Sequence, residues 1–465
     1  MKAAYHEQLT AYLATQRWFA GKDRGFEVVH VHDLPWLASE AMNVRVEVVT
    51  VEFADGQRDD YQFLATYQEE LDPARAHALV GEIEHPELGL VAVYDAVYYR
   101  DAASLFLQAF LDQVDRGDMS FVVLESAELP DEAMPGNVMS AEQSNTSIAY
   151  GEQAILKLYR RLSEGGNPDI EIHQLLTLHG SEHVAPLLGW VEAQWSDVDG
   201  VNKRGHLGML QAFLRTATDG WDIALSSVRD LLVEEDLHPD EVGGDFASEA
   251  ERLGAATAEV HLDLATLLET ATLTSAQTAA LVAAMIRRLE AAIEVVPEIA
   301  PYGGALRAHF NQISSLTSPL HVQRIHGDLH LGQTLRTVKG WKIIDFEGEP
   351  AKSLAERVAL DSPFRDVAGM LRSFDYAAAV TLRQFGEADH LLYHADEWTA
   401  RNRKAFLEGY ASIGADDDPA IGLLLRAYEA DKAVYEAVYE ARNRPAWVPI
   451  PVRAIARIAA DKETS

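Results

Sequence analysis

The sequence predicts an α+β protein in which strands are concentrated in the N-terminal part and helices in the C-terminal part. Residues 44–53 form a Val-rich run with strand character, and residues 61–64 form a second apolar run after a turn. By contrast, residues 247–268 and 275–296 are rich in Ala, Leu and Glu and have helical spacing of their apolar residues. A chain of 465 residues with 48% hydrophobic residues can bury a sizeable core and form two or three domains.

The order of these patterns divides the chain into three predicted segments. Residues 1–88 are expected to form a small α/β subdomain at the N-terminus. Residues 89–211 continue with short strands and turns, and we interpret them as an intermediate subdomain. Residues 212–465 form the third segment, which is mostly helical because helical patterns dominate from about residue 221 onward.

Local signals predict the remaining elements in order along the chain. Asn167-Pro168-Asp169 indicates the start of a helix, with Asn as the N-cap, Pro at the first position and an acidic residue in the first turn. Further strands are predicted at residues 90–94, 121–124, 144–150, 152–159 and 209–214. Further helices are predicted at residues 6–18, 366–385, 397–412 and 419–441.

Composition excludes several classes of protein. The net charge of −34 argues against nucleic acid as the main partner and would repel anionic membranes. The chain has no cysteine, which excludes disulfides, thiolate zinc sites and cysteine nucleophiles. It has neither a run of 18 apolar residues nor the layout of a signal peptide at its N-terminus. A cytoplasmic enzyme is the expectation that fits these observations.

The strongest functional signal lies within residues 324–350. His326-Gly-Asp328 is followed by an amide at Gln333, and the apolar run 341–344 is predicted to be a buried strand that leads to Asp345. A carboxylate that accepts a hydroxyl proton, together with an amide and a second carboxylate that hold Mg²⁺, is typical of kinase-type phosphoryl transfer. The Asn of the protein-kinase catalytic loop has the same offset of five residues from its Asp.

Each of these side chains has a predicted role. Asp328 is the candidate base, and it would also orient the acceptor hydroxyl. Gln333 and Asp345 offer the hard oxygen ligands that Mg²⁺ prefers, and Glu347 is a candidate third ligand. His326 is expected to pin the loop by a hydrogen bond, and we include it with the residues on the substrate side of the site.

Candidates for nucleotide binding lie further upstream. Lys157 lies within an apolar strand, where a lysine is costly unless it is paired, and Glu171 is the predicted partner. The hydroxyls of Ser144 and Thr146 belong to the segment that we interpret as a phosphate-covering loop. The alternative for the loop is an ordinary hairpin turn. The alternative for Lys157 is a lysine whose stem lies on an apolar surface.

The predicted C-terminal helix places Lys432, Tyr435 and Tyr439 on one face. Aromatic planes beside charged groups suit a sugar, which has apolar C–H faces and many hydroxyls. Taken alone, the periodicity more often indicates a helix that packs its tyrosines into the core.

Taken together, the motifs resemble those of the bacterial maltokinases, which have a eukaryotic-protein-kinase-like fold related to aminoglycoside phosphotransferases. The resemblance covers most of the chain. Its motifs lie at residues 16–22, 209–211, 326–333, 345–350, 361–363, 365–376 and 435–447. It implies a bilobal fold with an N-terminal cap subdomain, a mixed α/β N-terminal lobe and a mostly helical C-terminal lobe.

The resemblance also implies ATP- and Mg²⁺-dependent phosphorylation of maltose at its anomeric hydroxyl, which gives maltose 1-phosphate for α-glucan synthesis. Gln211 and Phe213 would lie at the adenine hinge, and Lys157 would contact phosphate. The sugar pocket would contain Trp398, Lys432, Tyr435 and Tyr439, and a non-covalent complex with trehalose synthase is a possible partner interaction.

Three alternatives remain open from the sequence. Related maltokinase-like proteins phosphorylate glucosamine, and Glu436 and Glu440 suit either that amino sugar or maltose. An aminoglycoside phosphotransferase fits the acidic composition, although it leaves the N-terminal unit unexplained. A non-catalytic pseudokinase scaffold is the third alternative, and the intact Asp328, Gln333 and Asp345 argue against it.

Overall fold

A computed structural model gives the structure of the protein. It describes residues 2–38, 42–139, 145–234, 237–316, 318–349, 352–386, 388–414 and 419–460. The chain divides into two compact units. The N-terminal unit comprises Met1–Leu178 and Ala185–Arg215, and the C-terminal unit comprises His179–Val184 and Thr216–Ser465.

Among the described residues, the N-terminal unit contains two antiparallel sheets and three α-helices. Its helices are α1 (Lys2–Thr15), α2 (Arg100–Leu111) and α3 (Pro168–His179). Its strands are β1 (Phe26–Ala38), β2 (Asn43–Phe53), β3 (Arg58–Gln68), β4 (Leu79–His85), β5 (Gly89–Asp95), β6 (Met119–Val123), β7 (Asn137–Val138), β8 (Asn145–Tyr150), β9 (Ala154–Tyr159), β10 (Arg161–Leu162), β11 (Leu187–Ser196) and β12 (Asn202–Ala212).

The strands pair into two sheets whose inner strands are buried along most of their length. The first has the strand order β1-β2-β3-β5-β4, with β10 beside β3, and the second has the order β6-β11-β12-β9-β8-β7. The Val-rich β2 is central in the first sheet and buries Val44, Val46, Val48, Val49 and Val51. Because β5 pairs with both β3 and β4, one sheet crosses residue 88, where the sequence predicts a subdomain boundary.

The C-terminal unit is mostly helical. Its helices are α4 (Gly220–Val233), α5 (Ala247–Leu267), α6 (Ser275–Val295), α7 (Gly303–Ile313), α8 (Leu354–Arg357), α9 (Phe364–Phe385), α10 (Asp389–Ala411), α11 (Pro419–Asn443) and α12 (Pro449–Ala460). Its short strands are β13 (Thr218–Asp219), β14 (Thr270–Thr272), β15 (His321–Gln323), β16 (Thr334–Thr337) and β17 (Gly340–Ile343).

Apolar faces of α6, α7, α9, α11 and α12 form one core of this unit, and α5 packs against α10. A capping box opens α6, where the hydroxyl of Thr274 accepts from the N–H of Gln277 and the Gln277 side chain accepts from the N–H of Thr274. None of the helices in the described ranges combines the length and the apolar character that a membrane span needs.

Candidate active site

The candidate catalytic loop leads from β15 to the hairpin β16–β17. A single 3-10 turn at Leu331–Gln333 follows the loop, and His330 caps this turn by accepting from the N–H of Gly332 at Nδ1. The apolar run at 341–344 forms β17, with Trp341 and Ile343 buried, and Asp345 comes directly after Ile344. The strand that was predicted to lead to Asp345 is therefore confirmed.

Asp366, in the first turn of α9, holds the start of this loop. Its carboxylate accepts from the backbone N–H groups of His326 (2.7 Å) and Gly327 (2.9 Å), and Nε2 of His261 lies 3.2 Å away. Burial raises the pKa of Asp366, but the hydrogen bond and charge of His261 together with the other donors outweigh burial and hold that pKa below its usual value. An ionised, buried carboxylate thus fixes the backbone immediately before Asp328.

Helix α9 approaches the loop closely, and a glycine makes this possible. A Cβ on Gly369 would lie 2.6 Å from the carbonyl oxygen of Leu329, so a larger residue would push the loop away from the helix. One turn further along, the hydroxyl of Ser373 accepts from the N–H of Leu331. The same helix therefore supports the loop on both sides of Asp328.

His326 fastens the loop to the end of β17. Its Nε2 lies 2.9 Å from the carbonyl oxygen of Ile344, and its Nδ1 accepts a 3.3 Å hydrogen bond from the N–H of Asp328. These two bonds assign the proton to Nε2. The hydrogen bonding is of the kind that was predicted for a residue that pins the loop, and it occupies both ring nitrogens.

Gln333 and Asp345 lie side by side. Nε2 of Gln333 donates to Oδ2 of Asp345 at 3.2 Å, and the N–H of Ile344 donates to the carbonyl of Gln333. Asp345 has a φ of +68°, in the left-handed region that is strained for most side chains. A carboxylate and an amide brought together in this way offer hard oxygen donors that fit Mg²⁺ once the amide turns its oxygen toward the ion. Glu347 is partly buried in the turn that follows.

Asp328 faces a cation from α11. Nζ of Lys432 lies 3.4 Å from Oδ1 of Asp328, and both side chains are about three-quarters buried. Burial raises the pKa of the Asp328 carboxyl, but the charge of Lys432, with smaller contributions from His330 and His326, brings that pKa below its usual value. The carboxylate is therefore ionised at neutral pH and carries a cation beside it.

Tyr435 and the adjoining acid Glu349 continue this surface. The Lys432 ammonium lies 5.4 Å from the centre of the Tyr435 ring, a cation–π contact. Burial raises the pKa of Tyr435, and its hydrogen bond to Glu349 raises that pKa further. Glu349 is itself paired, with Lys352 at 3.2 Å and with Arg365 at 3.3 Å.

The two acids of α11 that were predicted near the sugar, Glu436 and Glu440, are paired with arginines. Glu436 accepts from Nε of Arg372 at 2.9 Å, with Nη2 at 2.8 Å, and Arg372 is fully buried. Glu440 accepts two hydrogen bonds from Arg444. By contrast, Tyr439 is 45% exposed and lies beside Arg444, so it does not pack into the core.

Trp398 lies in the core, so the structure does not agree with the sugar contact predicted for it. The side chain is 1% exposed, stacks on Phe246 and packs against Phe374, and its Nε1–H donates to the hydroxyl of Ser227. This packing leaves no surface with which Trp398 could contact a sugar. The tryptophan lies on the buried face of α10, a position that resemblance alone cannot distinguish from a pocket wall.

In the N-terminal unit, Lys157 makes a buried ion pair with Asp169. Nζ of Lys157 lies 2.9 Å from Oδ2 of Asp169 in the first turn of α3, and Nδ1 of His173 lies 3.0 Å from Oδ1. Burial raises the pKa of Asp169, yet the charges of Lys157 and His173 bring that pKa well below its usual value. The sequence predicts Glu171 as the partner, and that side chain is exposed two residues further along.

Only part of the predicted phosphate-covering loop lies among the described residues. Ser144 lies outside the described residues. Thr146 is buried within β8 and its hydroxyl accepts from Nε of Arg160 at 2.8 Å, which makes it a strand residue and not part of a loop. The turn of the β8–β9 hairpin lies at residues 151–153. The phosphate contact predicted for Thr146 is therefore wrong for this arrangement, because the side chain points into the core.

The residues predicted for the adenine hinge lie at and beyond the end of β12. Gln211 is buried opposite Ile155 of β9, and its Nε2 has no hydrogen-bond partner among the residues that the structure describes. The N–H of Phe213 donates to the carbonyl of Gln153 at 3.0 Å. A buried amide without a partner is unusual in a folded protein and is often explained by a ligand or water.

Sequence reasoning missed the roles of Asp366 and Asp169. Both follow a proline, Asp169 by one position and Asp366 by three. Asp169 was interpreted only as an acid in the first turn of a helix, and Asp366 only as part of a predicted helix and of a family motif. The sequence shows the helix start in both cases. It does not show that these two acids are buried, and burial is the feature that distinguishes them.

Known proteins resemble this chain in sequence. The maltokinase N-terminal cap domain matches residues 12–98. A glucosamine kinase of Streptacidiphilus jiangxiensis is 28% identical over 67% of this chain and 70% of its own length. A glucosamine kinase of Mycolicibacterium smegmatis is 27% identical over 68% of this chain and 78% of its own.

Solved structures share the fold. A structure of glucosamine kinase in complex with glucosamine, ADP and inorganic phosphate superposes with a TM-score of 0.67 at 21% identity, covering 96% of this chain and 98% of the other. The cap-domain match and the two sequence relatives indicate a sugar kinase that is similar to the maltokinase-like family, and the solved structure shares its kinase-like α+β fold.

Proposed function

We propose that this enzyme uses ATP to phosphorylate a neutral sugar, with maltose as the first candidate, at the anomeric hydroxyl. The product would be maltose 1-phosphate, a donor for α-glucan synthesis. The observation that carries the proposal is the contact of Lys432 with Asp328 at 3.4 Å, which puts a fixed cation beside the candidate base.

The proposed reaction needs a carboxylate that is ionised before the sugar binds. Lys432 favours that state at Asp328, and a hydroxyl that approaches Asp328 can donate to it and be oriented for transfer. In a loose transition state most of the benefit comes from orientation and from neutralisation of charge. Asp366 and His326 contribute by holding the backbone on which Asp328 lies.

ATP and Mg²⁺ are part of the proposal. Gln333 and Asp345 would hold the metal, with Glu347 as a further candidate ligand, and bound Mg²⁺ would neutralise charge on the phosphates. Lys157 would contact phosphate oxygens, supported by its buried pair with Asp169. Gln211 and Phe213 would contact the adenine, and the unpartnered Nε2 of Gln211 supports a ligand at that position.

The charges around the sugar-side residues favour a neutral acceptor. Glu349, Glu436 and Glu440 each already have a cationic partner, in Lys352 or an arginine. The ammonium group of an amino sugar would therefore have to compete with one of these cations, and it would also meet the like charge of Lys432. A neutral disaccharide meets neither obstacle and can use the Tyr435 ring.

Glucosamine is the second candidate acceptor. Both sequence relatives described above are glucosamine kinases, and this supports an amino sugar on grounds independent of the charges. A cytoplasmic location and a non-covalent complex with trehalose synthase stay predictions from the sequence.

A coupled ADP-release assay with maltose, glucose, glucosamine and kanamycin as acceptors tests the proposal. We expect turnover with maltose that exceeds turnover with glucosamine, and a loss of at least 10²-fold in kcat for Asp328→Asn. Activity on glucosamine with none on maltose would reject the neutral-sugar proposal and leave the sugar kinase in place. Lys339→Met, an exposed change near β17, is a control for non-specific effects of altered charge.

A further inference from the structure

A cavity lies within the C-terminal unit, apart from the candidate catalytic residues. Its volume is about 410 Å³, and its walls come from α5, β15 with the residues before it, the start of α9, the end of α10 and the first half of α11. Cavities that bind small molecules typically measure about 300–1,000 Å³. None of Asp328, Gln333 and Asp345 is among its lining residues.

The described wall of this cavity contains no Asp, Glu, Lys or Arg. At the 24% charged content of the whole chain, the twenty lining residues would include about five such side chains. Instead, twelve are Ala, Val, Leu, Ile, Pro or Phe, and the polar ones are two His, two Ser, two Tyr and one Gln. In a protein with a net charge of −34, a mostly apolar wall without Asp, Glu, Lys or Arg suits an uncharged, largely apolar molecule.

One side of the cavity is formed by His261, which contacts the carboxylate that holds the catalytic loop. His261 lines the cavity, and its Nδ1 lies 2.9 Å from the hydroxyl of Tyr410, which also lines it. On its other edge, Nε2 of His261 lies 3.2 Å from Asp366, whose carboxylate accepts from the backbone N–H groups of His326 and Gly327. A ligand that moves His261 therefore acts on the loop through a single carboxylate.

A second route leads from the cavity to the sugar side of the site. Tyr428 lines the cavity and donates from its hydroxyl to Oδ1 of Asp361 at 3.1 Å. The other oxygen of Asp361 pairs with Arg365 at 2.8 Å, and Arg365 in turn contacts Glu349. Glu349 is hydrogen-bonded to Tyr435, so this route ends at the aromatic surface beside Lys432.

We propose that this cavity is an effector site for a neutral, largely apolar small molecule, and that its occupancy changes the turnover of the enzyme through His261 and Asp366. The coupling is reciprocal, because a ligand that favours one arrangement of the loop binds more tightly when substrates favour the same arrangement. Binding at the cavity does not depend on which sugar the enzyme phosphorylates.

Fluorescence titration with N-phenyl-1-naphthylamine, a neutral two-ring probe, tests the binding site. Saturable binding with one equivalent is expected for the whole protein. Ile421→Trp fills the cavity from α11 and should weaken binding at least tenfold, whereas Val338→Trp, at an 85% exposed position outside the wall, should leave it unchanged. Leu262→Trp closes the cavity from its half-exposed rim and keeps the test valid if Ile421→Trp fails to fold.

The coupling is tested by ATP turnover at saturating probe. A change in kcat of twofold or more is expected for the wild type and for Val338→Trp, and none for Ile421→Trp. Tyr410→Phe removes the hydroxyl that His261 contacts and should reduce the change while keeping the cavity. Absence of saturable binding, or binding that survives both filling variants, would overturn the site. An unchanged kcat with the probe bound would overturn the coupling.

Discussion

Lys432 Nζ lies 3.4 Å from Asp328 Oδ1 and joins the last long helix of the C-terminal unit to the candidate catalytic loop. The contact spans 104 positions in the sequence, so neither residue's local pattern indicates it. Its consequence is chemical as well as structural, because the cation favours the ionised carboxylate that an acceptor hydroxyl requires.

Removal of that cation should shift the acid limb of the pH–rate profile. Lys432 lowers the pKa of Asp328, so in Lys432→Met this pKa rises and a larger part of the carboxyl is protonated at a given acidic pH. We expect the acid limb of kcat/KM to move to higher pH, with a lower plateau because the hydroxyl is also less well placed. The measurement is kcat/KM for the sugar between pH 3 and 8, a range that reaches below the usual carboxyl pKa.

Two further variants separate charge from position in this experiment. Lys432→Arg keeps the charge and should retain the wild-type acid limb even if kcat falls, and the exposed Lys339→Met should change neither. An unchanged acid limb in Lys432→Met would show that Asp328 is not the group that titrates in that range.

Asp366→Asn should reduce both stability and turnover. The asparagine presents an NH₂ group to one of the backbone N–H donors of His326 and Gly327, and the ionised partner of His261 disappears. Loss of charge-assisted hydrogen bonds in a buried position costs about 3 kcal/mol. Urea unfolding and kcat measure the two effects. Normal kcat in a folded Asp366→Asn protein would show that Asp366 does not position the loop.

Much of the fold can be predicted from this sequence because its periodic patterns are long. The helix predicted at 247–268 is observed at Ala247–Leu267, and the one at 275–296 is observed at Ser275–Val295. The strand predicted at 44–53 is observed at Asn43–Phe53. Short elements such as β14 and β15 escape prediction, since three residues carry too little pattern and pairing between distant segments fixes them.

The same difference between local patterns and distant contacts decides which residues of the candidate site could be predicted. The order of Asp328, Gln333 and Asp345 is a local motif, and the structure places Nε2 of Gln333 within hydrogen-bond distance of Asp345, while their metal-binding role stays a prediction. Asp366 and Asp169 act through tertiary contacts, which a local reading of one sequence does not reveal. Trp398 shows the opposite error, because an aromatic residue near a predicted sugar pocket has the same sequence appearance whether it lines a pocket or packs in a core.

Trp398→Phe should reduce stability and leave the KM for the sugar unchanged. The smaller ring leaves space beside Phe246 and Phe374 and removes the hydrogen bond to Ser227. A loss of about 2 kcal/mol is expected from these two effects. Chemical denaturation and steady-state kinetics provide the two readouts. A raised KM at unchanged stability would return Trp398 to the sugar site.

The pair of Lys157 and Asp169 should show strong coupling. Lys157→Met leaves Asp169 charged in a fully buried position, so we expect a loss of about 3 kcal/mol in addition to weaker use of ATP. Asp169→Asn in the same chain should recover part of the stability and none of the ATP affinity. A double-mutant cycle in urea, with KM for ATP measured alongside, separates these effects. Glu171→Gln tests the partner predicted from the sequence, and a comparable loss of stability there would show that Glu171 also pairs with Lys157.

Glu47 in the first sheet should make stability fall as pH rises. Its buried carboxylate accepts hydrogen bonds from the hydroxyls of Tyr5 on α1 and Tyr67 on β3. Burial raises the pKa of Glu47 to about 7, although the hydrogen bond from Tyr67 opposes the shift. In the unfolded chain a glutamate has a pKa of about 4.3. The folded state therefore holds a proton that the unfolded state has already released.

The sign of the effect follows from that difference. Stability is highest below about pH 4.3 as far as this group is concerned, decreases between there and pH 7, and levels off above about pH 8. The full cost is on the order of 3 kcal/mol. Glu47→Gln does not titrate, so the variant should gain thermal stability relative to the wild type as pH rises from 5 to 8. Glu27→Gln, at an exposed position of β1, should show no such trend. A stability difference between Glu47→Gln and wild type that does not vary with pH would mean that the Glu47 carboxylate is already ionised in the folded state at pH 5.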